Sequence, residues 1–214
     1  MKARNHNHIY RPRVRTCKPL LRIYCEGTTE KYYFKQVKYR FRDSNLQVKL
    51  KIKEKKDAQD QLIESVKKTI NYENINLEDD KEDSIWCVID VEENKLNWDS
   101  TVEKIKSFQN NKNKFVIVSN PSFEVWLLLF FKYSTRRYTN KELCEELTQL
   151  LKVRNYSRQI KGKNIRNYMD YFKDVDKAIK AAKKQVKFHK GRDLLDYESN
   201  PVTQIYKIFE KLMG

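Results

Sequence analysis

Leu20-Leu21-Arg22-Ile23-Tyr24-Cys25-Glu26-Gly27-Thr28-Thr29-Glu30 is the stretch that decides how this chain folds. An apolar, strand-like run, Leu20 to Cys25, ends on an acid and then a glycine. Gly27 permits a sharp turn, and Thr28 is placed to cap a helix over about Thr29 to Arg42. Tyr33, Phe34, Val37 and Phe41 give that helix an apolar face at helical spacing. Strand, tight turn and amphipathic helix in that order are the opening of a βα unit.

The pattern recurs downstream. Ile85-Trp86-Cys87-Val88-Ile89 runs into Asp90-Val91-Glu92, and Phe115-Val116-Ile117-Val118-Ser119 runs into Asn120-Pro121-Ser122-Phe123-Glu124. Between the first two runs, Leu46, Val48, Leu50 and Ile52 alternate with polar residues as a half-exposed strand does. A helix over about Ala58 to Tyr72 follows, with Leu62, Val66 and Ile70 inward, and another is predicted near residues 100 to 109. This β-α-β-α-β-α-β order predicts an α/β fold: a compact parallel sheet of about four strands, right-handed crossovers and helices on both faces. Asn120-Pro121 reads as a helix start, Asn at the N-cap and Pro at the first helical position. Phe123, Trp126, Leu127, Leu128 and Phe130 make that helix buried on most sides. From residue 140 the chain reads as helical. Leu143, Leu147, Leu150 and Leu151 share a face, a polar segment spans about Ile165 to Phe188, and a last helix follows Ser199-Asn200-Pro201. The expected organisation is a basic arm over 1–19, an α/β core over 20–135 and a basic helical extension over 136–214.

Strand ends of an open parallel sheet line one crevice, where ligands bind. Residues at i and i+2 on an extended segment point the same way, so Asp90 and Glu92 are placed to share one cation while Val91 points into the core. Mg²⁺ takes hard oxygen ligands, commonly one or two carboxylates with water and phosphate. Glu26 adds a third carboxylate beside Gly27, whose missing side chain leaves room for a phosphate or a metal. Glu30, one turn on, either faces the same crevice or complements the helix N-terminus. Glu124 has the same two readings, as a further ligand or orienter of one, or as a complement to the dipole. Ser119 and Asn120 either bond substrate or cap. Acids gathered in one crevice repel one another unless protons or a metal intervene.

Around this acidic centre the chain is basic. It has 214 residues, with 45 Lys plus Arg against 29 Asp plus Glu and a net charge of +16. Residues 151 to 192 alone hold 14 Lys or Arg and 3 Asp. Such a charge attracts polyanions, nucleic acid first and an anionic membrane second; the plainer reading is a solvated lysine-rich surface. With 13 Tyr, 10 Phe and 3 Trp the chain has enough large groups for a real core. Its 4 cysteines form no close pair, which argues against a local zinc knuckle, and Cys25 and Cys87 read as buried core residues in a reducing cytoplasm. His6, His8 and His189 lie in polar, basic stretches and read as solvated. No phosphate-binding loop, signal peptide or membrane span is present, and no Ser-His-Asp or Cys-His arrangement has persuasive spacing.

At these residues the chain resembles the RloB-like family, whose proteins carry a Toprim-type nuclease core. The resemblance runs over Cys25-Glu26-Gly27-Thr28-Thr29-Glu30-Lys31-Tyr32-Tyr33-Phe34, Val88-Ile89-Asp90-Val91-Glu92 and Ser119-Asn120-Pro121-Ser122-Phe123-Glu124-Val125-Trp126-Leu127-Leu128, and reaches Asn200-Pro201-Val202-Thr203. It implies a Toprim-like fold in which Glu26, Asp90 and Glu92 gather Mg²⁺ (or Mn²⁺) for phosphodiester chemistry. Glu92 stands where the family pattern has Asp, which keeps the charge and lengthens the arm. It also implies an effector of phage defence partnered with an ABC-type ATPase, cutting RNA such as tRNA, or DNA. The resulting expectation is a cytoplasmic, metal-dependent endonuclease built on Glu26, Glu30, Asp90, Glu92 and Glu124. Lys161 or Lys163, which precede a helix in the basic lobe, would neutralise developing charge. The alternative is a non-catalytic scaffold that docks an ATPase and nucleic acid; primase- or topoisomerase-like chemistry is a third option, and homo-oligomerisation is left open.

Overall fold

The computed structural model describes residues 19–41, 47–52, 59–75, 77, 83–91, 98–110 and 113–213. The basic arm up to residue 18, Cys17, His6, His8 and Glu92 lie outside the described residues.

The strands are β1 (Leu20–Cys25), β2 (Gln47–Ile52), β3 (Ser84–Asp90), β4 (Lys114–Asn120) and β5 (Val202–Thr203). They form one sheet in the order β2-β1-β3-β4-β5. The first four are parallel, and β5 pairs antiparallel with the end of β4 through Ser119–Thr203 and Asn120–Val202. This is the α/β architecture expected, with a short antiparallel strand added at the β4 edge. Helices α1 (Thr28–Arg40), α2 (Gln59–Tyr72) and α3 (Trp98–Gln109) connect the parallel strands.

Alternation along the strands sorts two cores onto the two faces. Leu21, Ile23, Cys25, Trp86, Val88 and Ile117 pack with α1 and the C-terminal helices. Tyr24, Ile85, Cys87, Ile89, Val116 and Val118 pack with α2 and α3. Asp90, two places after Val88 on β3, therefore faces the α1 side. Cys25 and Cys87 are buried free thiols, as read from the sequence.

The rest of the chain is α4 (Glu124–Leu128), α5 (Asn140–Leu150), α6 (Tyr156–Gln159), a 3-10 segment (Gly162–Phe172), α7 (Val175–Phe188) and α8 (Tyr206–Met213). Three expectations are corrected here. Asn120-Pro121 does not open a helix. β4 runs through Asn120 because β5 pairs with it, the Asn120 side chain donates to the carbonyls of Asp196 and Tyr197, and α4 begins at Glu124. Asn200-Pro201 likewise leads into β5 and not into the last helix. The Asn200 amide bonds both the N–H and the carbonyl of Tyr138. The single helix expected over 165–188 is a 3-10 segment followed by α7, whose N-cap Asp174 accepts from the Lys177 N–H.

The 3-10 segment lies alongside α1 and is fastened to it at both ends. The Gly162 N–H donates to Thr29 Oγ1 at 2.9 Å, and Arg40 donates to the Lys173 carbonyl at 2.7 Å. Rises of about 1.5 and about 2.0 Å per residue give the two elements nearly equal lengths, roughly 20 Å. Gly162 has φ of +74°, a conformation that favours glycine, at the corner where the segment starts. Under both lies an aromatic cluster. Tyr33 of α1 meets Phe123, Phe172 and Phe209 edge-on, and Trp126 Nε1 donates to Tyr33 Oη at 2.8 Å. The first turns of α1 and α4, which carry Glu30 and Glu124, are thus anchored to one rigid platform.

Candidate active site

β1 and β3 are neighbours and both end toward the same crevice, with Cys25 opposite Val88 in the register. Glu26 and Asp90 are the residues at those two ends. Asp90 Oδ1 is sealed from water and has no hydrogen-bond partner. Burial pushes the Asp90 carboxyl well above the ordinary aspartate range, and Glu30, Glu124 and Glu26 push it further by charge repulsion; Lys161 opposes them. Four sequence-predicted carboxylates, Glu26, Glu30, Asp90 and Glu124, and one of the two predicted lysines therefore meet in one place.

Glu30 is buried, at 6 % exposure, and folds back over the turn that precedes its helix. A Cβ added at Gly27 would lie 2.2 Å from its Oε2, so Gly27 is the residue that leaves room for this carboxylate. Glycine is also the N-cap, and Thr28 stands inside α1 and does not cap it. Burial raises the Glu30 carboxyl to about 7; its own backbone N–H lowers it, Glu124 raises it and Lys161 lowers it.

Glu124 is 2 % exposed and fully engaged. Oε2 accepts from Ser122 Oγ at 2.8 Å, while Oε1 accepts from Tyr156 Oη at 3.3 Å and lies 3.1 Å from Lys161 Nζ. Burial opposes the charge on Lys161 and the Glu124 carboxylate more than offsets it, so the ammonium is held above the usual lysine value. Within the functional reading, orienting fits Glu124 better than ligation, because protein donors occupy both its oxygens. Lys163, two residues on, is exposed and makes no ion pair with a described residue.

Among the described residues, no three Asp, Glu, His or Cys side chains converge closely enough to hold a metal ion as they stand. The donor set nevertheless fits a divalent cation. Asp90 presents an oxygen without a partner, and every neighbouring carboxylate raises the cost of its charge. A cation among these oxygens would remove that cost. Glu26 and Asp90, from two strand ends, are the residues placed to hold it, with Glu30 beside them.

The RloB-like protein family matches residues 21–212. The chain belongs to the RloB-like family. All three motif stretches that carry the resemblance lie within that span. No curated protein and no solved structure matches it.

One part of this RloB-like centre had no signal in the sequence. Ser122 and Tyr156 hold Glu124, but Tyr156 stands 32 residues from it and reaches it only through the fold. A cavity of about 480 Å³ also opens beside Val91 and Pro121, walled by Tyr138, Tyr197 and Arg137. Arg137 lies over the Tyr197 ring and pairs with Glu198. His189, read as solvated, is buried with Nε2 3.1 Å from the Pro201 carbonyl. Among the described residues, no helix is long and apolar enough to cross a membrane.

Proposed function

We propose that this RloB-like protein is a metal-dependent phosphodiesterase that cleaves nucleic acid. The observation that carries the reading is Asp90: a carboxylate oxygen without a partner, ringed by Glu26, Glu30 and Glu124 and faced by Lys161. Glu26 and Asp90 hold Mg²⁺ or Mn²⁺, with Glu30 beside them and Glu92 belonging to the same set by the family pattern. When bound, the ion supplies polarisation of the scissile phosphate and an activated water. Lys161 neutralises charge that develops on phosphate oxygens, and Glu124 aims it while Ser122 and Tyr156 fix Glu124. The resemblance extends this to a Toprim-type endonuclease of phage defence, acting on RNA such as tRNA in preference to DNA, under control of an ABC-type ATPase.

The test is incubation of the protein with total tRNA, other RNA and plasmid DNA, with Mn²⁺ or with EDTA, against Glu26→Ala and Asp90→Ala. Cleavage by wild type with Mn²⁺ alone, lost in both variants with the fold retained, is expected. Wild-type turnover by Asp90→Ala would reject the assignment.

A second reading has its own support. The described residues bring no three ligand groups together at metal distance, as a docking scaffold with a degenerate site would have it. Titration with Mn²⁺ separates the two: the nuclease binds it at the carboxylates and the scaffold does not.

A further inference from the structure

We infer that the 3-10 segment Gly162–Phe172 is a track for one unpaired strand of nucleic acid, leading it to the acid centre. This rests on the nuclease reading for its destination but not for its binding.

The segment starts directly after Lys161, whose ammonium faces the carboxylates. Its inner side is committed: Ile165 and Phe172 are buried, and both ends are bonded to α1. Its outer side carries Lys163 and Arg166, both exposed and neither in an ion pair with a described residue. Lys163 and Arg166 are three residues apart, which at a 3-10 rise of about 2.0 Å per residue is about 6 Å along the segment. That spacing is comparable with the separation of successive phosphates on an extended strand. An ordinary surface cation often has an acid nearby; the segment's only acid, Asp170, is taken by Lys173 at 2.9 Å.

The second half of the segment supplies a different chemistry. Tyr168 and Tyr171 stack at 6.2 Å between centroids, and Tyr171 is 51 % exposed. An exposed ring propped on a half-buried one is a platform for a base. Unpaired bases offer their faces, whereas a duplex keeps them stacked inside. Cations for the backbone followed by an aromatic platform is the combination that binds single strands with little regard to sequence. The fastening to α1 supplies rigidity, so little order must be gained on binding.

The experiment measures binding without cleavage, in EDTA, by fluorescence anisotropy of a labelled single-stranded RNA 12-mer and of the same sequence as a duplex, over a range of KCl. The single strand is expected to bind at least tenfold tighter. Lys163→Gln with Arg166→Gln should weaken it about tenfold and flatten the log–log salt slope by about 1.4, two phosphates' worth for a single strand. Tyr171→Ala should weaken it roughly fivefold or more, and Tyr171→Phe should restore it. Lys67→Gln with Lys104→Gln removes the same charge from α2 and α3 and should change affinity less than twofold. Duplex binding as tight as single strand, wild-type affinity in the track variants, or equal weakening by the α2/α3 pair would each overturn the inference. Track binding without any cleavage when Mn²⁺ is added sinks the nuclease reading alone; cleavage with unchanged affinity in the track variants sinks the track alone.

Discussion

Around the ends of β1 and β3 carboxylates are crowded together and largely withdrawn from water; along the 3-10 segment, beginning one residue past Lys161, cations are left in it. Asp90 and Glu30 sit where burial and mutual repulsion disfavour ionisation. Lys163 and Arg166 stand exposed to solvent. The first arrangement is expensive for folding, so a purpose for it must be sought in what it binds. The second is cheap, so its effect belongs to encounter and grip and not to stability. Charge in this molecule thus has two separate meanings, and substitution can pull them apart.

The sharpest break comes at Asp90. Asp90→Asn keeps the shape and removes the charge; cleavage should fall a thousandfold or more, while melting in EDTA is unchanged or higher. Lys161→Gln comes next. Loss of a positioned cation should slow cleavage roughly a hundredfold. It also leaves the buried Glu124 with Ser122 and Tyr156 alone, at a cost of about 1–3 kcal/mol in denaturant unfolding.

Glu30 gives the comparison a pH axis. Its folded carboxyl holds a proton up to about 7 and the unfolded one up to the ordinary glutamate value of 4.5. Folding therefore takes up a proton between those values. The contribution is fully present below 4.5 and is lost as pH rises toward 7. Glu30→Gln, which cannot ionise, should match wild type at pH 4.5 and exceed it at pH 8 by up to about 3 kcal/mol, measured by urea unfolding in EDTA. Gly27→Ala acts on the same group more weakly. Its methyl displaces the Glu30 carboxylate, which should lower Mn²⁺ affinity severalfold and change stability by about 1 kcal/mol. At the cheap end, Lys184→Gln on the exposed side of α7 should leave stability within about 0.5 kcal/mol of wild type.

Much of this was legible in the chain itself. The four parallel strands were readable to within a residue or two because three are short apolar runs ended by a polar residue and β2 alternates apolar with polar, and those patterns survive without tertiary information. Glu26, Glu30, Asp90, Glu124 and Lys161 were singled out for the same reason: they stand at ends of strands or starts of helices, and the fold brings such ends together. The failures have one cause. β5 is two residues long and exists only through its pairing with β4. The two Asn-Pro pairs look like helix starts because local capping chemistry is all that a sequence displays. Their amides are spent instead on backbone from far along the chain, Asn120 on residues 196 and 197 and Asn200 on residue 138. The 3-10 segment was read as helix because the bonds that fasten its ends, Gly162 to Thr29 and Arg40 to Lys173, come from α1 far along the chain.

The bond between Gly162 and Thr29 spans 133 residues of sequence. A chain cut at residue 155 would keep every one of the gathered carboxylates and lose both Tyr156 and the ammonium that faces them. Such a fragment would carry the negative half of the centre with nothing of its own to balance it, so harbouring the acids and being able to use them are properties of different lengths of this polypeptide.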